Sequence, residues 1–231
     1  MTRFGIRAAL WAFLGLVLIG GVACATVPFS AIEEALCCIQ LEQAGRILAA
    51  IQLGYGQEGF PSDDVLRLVE RLVENPSSPA EKESILLILA MALEEGLPVD
   101  GLLSKAFEGL VRGVPLSQIG IGLQQRLILL TQVRDLFLDK RIFVVPSGSA
   151  QSVPSALPAP RFNELLTNIA DVVGDHLEGG GSARDGHALY EEVEKRLMAL
   201  QGVTLLQADV ELVLDRIEPA DLTRVALAAV S

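Results

Sequence analysis

The chain is expected to be all-α, built from helical hairpins that repeat about every 37–39 residues and followed by a smaller helical block. Three observations support that class. Hydrophobic residues make up 51% of the 231 positions while aromatics make up 5%, a balance dominated by Leu and Ala that suits packed helices rather than a sandwich or barrel. Apolar residues recur at helical spacing, and the one stretch of strand character in the body is Ile142 to Val145. Finally, the sequence duplicates itself. Residues 58–66 (EGFPSDDVL) match residues 95–103 (EGLPVDGLL), and after a one-residue shift residues 70–76 match residues 108–115. Short helix, turn and long helix form the repeated unit, which resembles helix-pair repeats in architecture.

The first 25 residues read as an export signal. Arg3 and Arg7 precede the apolar run Leu10 to Ile19, and small residues follow at Gly20, Gly21, Ala23 and Ala25. Three endings fit. Ala23-Cys24-Ala25 suits cleavage to a soluble chain beginning near Thr26. Gly21-Val22-Ala23-Cys24 resembles a lipobox, which would acylate Cys24. Left uncut, the uncharged stretch from Ala8 to Ile32 is long enough to cross a bilayer. Each ending places the body outside the cytoplasm, in the periplasm or at the cell surface, with membrane association through the N-terminus in two of them.

Residues 26–145 form the expected repeat domain. Ser30-Ala31-Ile32-Glu33 has the form of a capping box opening a helix that runs to about Leu53 and stops at Gly54 and Gly56. Cys37 and Cys38 then fall inside a helix. As neighbours they point about 100° apart and cannot bridge each other, so they read as small apolar residues facing a core. Val65, Leu66, Val69, Leu72 and Val73 give the next stripe. Ser78-Pro79-Ala80-Glu81 is a second box, with Pro where its missing N–H costs nothing. Ile85 to Leu93 is apolar on every face, which marks a buried central helix. Helices are expected over 79–95 and about 115–138, with Gly59, Gly96 and Gly113 as left-handed residues past helix ends.

Residues 146–160 (PSGSAQSVPSALPAP) carry four prolines and no charge, the composition of a semi-extended linker. The block 161–231 opens with a stripe of Phe162, Leu165, Leu166, Ile169, Val173 and Leu177. Gly179 to Gly181 break it, and Ser182 is placed to cap the next helix. There Leu189, Val193, Leu197 and Leu200 line one face, while Glu191–Lys195 and Glu192–Arg196 pair on the other. Leu206, Val210, Val213, Leu214 and Ile217 make a third stripe, and Pro219 starts a last helix.

Chemistry is sparse. The formal charge of −11 disfavours nucleic acid as a partner. No GxSxG, HExxH or CxxC occurs, and the paired carboxylates sit in first turns or on polar faces. His176 and His187 flank the glycine turn. With Asp175 and Asp185 they could be assembled into a metal site, but their spacing does not demand one, and helix-end positions suit them. No metal or other cofactor is implied. The expected role is therefore non-catalytic: an envelope-located scaffold or interaction module whose partner is another envelope protein. Arg67, Arg71, Lys105 and Arg112 on the short helices are the candidate contact residues. A bundle binding lipid or another apolar ligand between the 85–93 and 123–138 helices is the alternative, and a metal-dependent hydrolase using His176 and His187 is third. Oligomeric state is open.

Overall fold

The computed structural model describes residues 27–57, 59–145 and 156–230. The export segment with Cys24, and residues 146–155 of the expected linker, lie outside the described residues. What is described is all-α: ten helices and one pair of three-residue strands. No helix among the described residues is long and apolar enough to cross a membrane.

Six helices come first: α1 (Phe29–Leu36), α2 (Ala44–Tyr55), α3 (Ser62–Glu74), α4 (Pro79–Glu94), α5 (Asp100–Val111) and α6 (Leu116–Asp139). They stack in two layers. In one, α1 packs on α3 and α3 on α5; in the other, α2 packs on α4 and α4 on α6. The all-round apolar helix α4 is thus covered on two sides, and Ile85, Leu86, Leu89, Ala92 and Leu93 are buried. Each fully buried Leu or Ile contributes about 1.5–3 kcal/mol. Ser78 caps this helix as its sequence predicts. Its Oγ accepts from the Glu81 N–H, and the Glu81 carboxylate accepts in return from the Ser78 N–H at 3.1 Å.

Gly96 and Gly113 end α4 and α5 with φ of +68° and +69°. The following amides reach back to close each end, Leu97 to the Ala92 carbonyl at 2.8 Å and Val114 to the Gly109 carbonyl at 3.0 Å. At the end of α6 the same turn is made by Arg141, with φ of +58°. There the Arg216 guanidinium donates to the Lys140 and Arg141 carbonyls at 2.9 and 3.0 Å.

The N-terminal helix departs from its expected form. Residues 31–53 are two helices rather than one, because α1 belongs to one layer and α2 to the other. Between them the chain tightens, with the Cys38 and Ile39 amides donating to the carbonyls three residues back. Ile39 turns into the core, while Cys37 and Cys38 are exposed and free rather than core-facing. The Ser30 box is also not formed: α1 starts at Phe29 after Pro28, without a side-chain cap. Aromatic contacts set that start. Phe29 meets the Tyr55 ring edge-on at 5.6 Å, and the Tyr55 hydroxyl donates to the Val27 carbonyl at 2.8 Å.

Strand β1 (Phe143–Val145) pairs in parallel with β2 (Ala156–Pro158), so the last residues of the expected linker are a strand and the start of the next helix. The remaining helices are α7 (Ala159–Glu178), α8 (Gly186–Leu200), α9 (Gln207–Leu214) and α10 (Pro219–Val230). Helix α6 packs on both α7 and α10, and α8 packs on those same two helices. Phe137 of α6, fully buried, meets Phe162 of α7 edge-on at 5.4 Å. Asp185, not Ser182, caps α8, accepting from the Ala188 N–H at 3.1 Å. The expected Glu192–Arg196 pair gives way to contacts across the α7–α8 seam, where Glu192 faces His176 at 3.2 Å and Arg196 donates to Asn168 at 2.9 Å. Leu206, expected in a buried stripe, is exposed at the start of α9.

Candidate functional site

The four cations singled out in the sequence do not form one cluster. On α3, Arg67 pairs with Asp64 one turn back, and Arg71 lies 3.8 Å from Glu74. Arg67 also lies over the Phe107 ring of α5, 5.3 Å from its centroid, which ties the two short helices together. Arg112 pairs with Glu108 at 2.7 Å. Lys105 belongs elsewhere. Two residues from Phe107, it points about 200° away around the helix, and its ammonium donates to both carboxylate oxygens of Glu178 on α7 at 2.9 Å.

That contact forms the rim of a cleft of about 260 Å³ where α5, α6, α7 and α10 meet. Beside Lys105 the polar lining is Gln125 and Arg126 of α6 and Glu178 of α7. The apolar wall is Leu129, Leu177, Ala229 and Val230. Two helix-interior glycines open the space. A Cβ on Gly122 would touch nothing within 4 Å, so that position is hollow. A Cβ on Gly174 would stand 3.1 Å from Arg126 Nη1 and 3.3 Å from Leu129, so this glycine makes room for the guanidinium.

Arg126 is the least ordinary side chain here. It is 13% exposed and sits in ion contact with Asp171 of α7. Its Nε is buried without a hydrogen-bond partner. Burial holds its pKa below the ordinary arginine range, while Asp175 and Glu178 act in the opposite direction. A guanidinium in this position presents a planar donor fork suited to a carboxylate. Sequence reading passed over Arg126, yet two signals were present: a cation directly before the apolar run Leu127 to Leu130, and mid-helix glycines with no turn to make.

The other candidate residues lie outside that cleft. His176, 10% exposed, closes α7 and faces Glu192, while Gly181 packs against its ring. His187 lies on the exposed side of the start of α8. Among the described residues no three His, Cys, Asp or Glu side chains come together as a metal site would need. A cavity on the α2 and α3 side of α4, between Ile51, Val65, Leu86, Leu89 and Val99, measures about 10 Å³, too little for an apolar ligand. No family model matches the chain, and no curated protein or solved structure matches it either.

Proposed function

We propose that the chain is an exported, non-catalytic helical-repeat protein of the cell envelope, and that it docks another protein on the outer face of α3 and α5. Support for the repeat reading comes from the duplicated segments. Their helices start 38 residues apart at Ser62 and Asp100, and 37 apart at Pro79 and Leu116, and each unit is a short helix followed by a longer one. Such stacks commonly use one layer as a docking surface.

The composition of the face carries the docking proposal. Val111 on α5 is 87% exposed, one turn from the Phe107 ring under Arg67; Arg71 follows Arg67 by one turn on α3, and Arg112 is next to Val111 in sequence. Arginine and aromatic side chains around exposed apolar surface are the groups enriched at protein interfaces. Arg67, Arg71 and Arg112 each sit beside a carboxylate of their own helix, so the apolar surface at Val111 and Phe107 is what a partner would cover. Lys105 is left out of this face because it points away from Phe107, toward Glu178 of α7.

A photo-crosslinking residue placed at Val111 in the producing cell tests the docking site, with the same residue at Arg184 as the control. A discrete crosslinked species from position 111 that disappears when Arg67 and Arg71 are replaced by Glu supports the proposal. Equal labelling at both positions, or none at 111, overturns it. Export is tested separately by the intact mass of the protein from its own envelope. A chain beginning at Cys24 with added acyl mass marks a lipoprotein, a chain beginning near Thr26 marks a soluble exported protein, and the full-length mass marks an uncleaved anchor.

A further inference from the structure

We propose that the cleft between α5, α6, α7 and α10 binds an aliphatic monocarboxylate, its carboxylate on Lys105 and Arg126 and its chain along Leu129, Leu177 and Val230. The inference does not depend on the docking face, and its readout is separate.

The charge of the lining selects the head group. Lys105 and Arg126 face the cleft, Lys105 paired with Glu178 and Arg126 with Asp171, so each cation there already holds one carboxylate and a ligand carboxylate enters by exchange. Asp171 pairs with Arg126, and Asp175 of the same helix acts on it too, so the site has no charge to spare for a dianion. Glu178 marks where the ligand carboxylate would sit, since both its oxygens already rest on the Lys105 ammonium at 2.9 Å. Its own side chain is 57% exposed and can move into solvent when replaced. An incoming carboxylate therefore substitutes for an existing ion pair and leaves no cation unpaired. The wall selects the tail: Leu, Ala and Val side chains line it, with no aromatic ring for stacking. A volume of about 260 Å³ is at the small end for ligand sites and suits a short chain better than a diacyl lipid.

Octanoate titrated into the full chain, followed by amide chemical shifts and calorimetry, tests the proposal. Octanol and octylammonium serve as head-group controls. Saturable one-to-one binding of octanoate is expected, with shifts in α6, α7 and α10. Octanol should bind at least about tenfold more weakly, and octylammonium should not bind. Gly122→Leu fills the hollow and replaces a helix-interior glycine by a better helix former, so it should abolish binding while the fold stays at least as stable. Lys105→Gln should weaken octanoate about tenfold, the equivalent of 1.4 kcal/mol, and Glu178→Gln should tighten it. Absence of saturable binding, unchanged binding in Gly122→Leu, or equal affinity for octylammonium would overturn the proposal. None of these outcomes bears on crosslinking at Val111.

Discussion

The backbone N–H of Gln43, at the start of α2, donates to the buried carboxylate of Glu83 on α4 at 2.5 Å. Helix α2 has no side-chain cap of its own. A carboxylate from the neighbouring helix does that work, meeting the positive end of the α2 dipole. Glu83→Ala leaves the amide without its partner and is expected to cost about 1–3 kcal/mol. Glu83→Gln, which keeps an acceptor, should cost less. Urea denaturation of the two variants decides the point, and equal losses would contradict the capping role.

Gly96 and Gly122 should respond to alanine with opposite signs. At Gly96, φ of +68° is a left-handed conformation that costs a residue with a Cβ about 1–2 kcal/mol. Gly122 lies inside α6 with open space where the Cβ would go. There alanine should stabilise by about 0.5–1 kcal/mol. Thermal melts of the two variants are the check.

Cys37 and Cys38 should both react with a thiol reagent in the folded protein, without denaturant. The basis is their exposure on the turn after α1. Fast labelling at both positions under native conditions, located by peptide mass, is expected. Labelling that waits for unfolding would show instead that they are covered.

Glu94 should titrate below the ordinary glutamate range, because Arg46 donates to both its oxygens at 2.8 and 2.7 Å. A carboxylate whose folded pKa is lowered adds stability above its unfolded pKa. That stability is lost as pH falls through the folded value. Arg46→Gln should move the Glu94 carboxyl titration upward, toward its usual value, as followed by carbon NMR. The stability difference between the two proteins should shrink at low pH. An unmoved titration would refute the pairing.

Much of the helical frame was legible because it rests on local rules. The Ser78 box, the glycines past α4 and α5 and the all-round apolar Ile85 to Leu93 run each act within one or two turns of their own backbone. What escaped reading involves a second element. The capping pattern at Ser30 was present, but the contacts of Phe29 and Val27 with Tyr55 start the helix earlier. Glu192 and Arg196 had the spacing for a surface pair, yet each found a partner on α7.

By itself the sequence determined that the described chain is helical, where the long helices run and which stripes are buried, since periodicity and end signals are properties of neighbouring residues. Only the tertiary structure decided that residues 31–53 divide between two layers, that Cys37 and Cys38 face outward, and that Lys105 leaves the face of Arg67 and Arg71 for Glu178. The cleft around Arg126 is of the same kind. Its lining comes from four helices whose residues span positions 105 to 230, and a hollow exists only where separate elements meet.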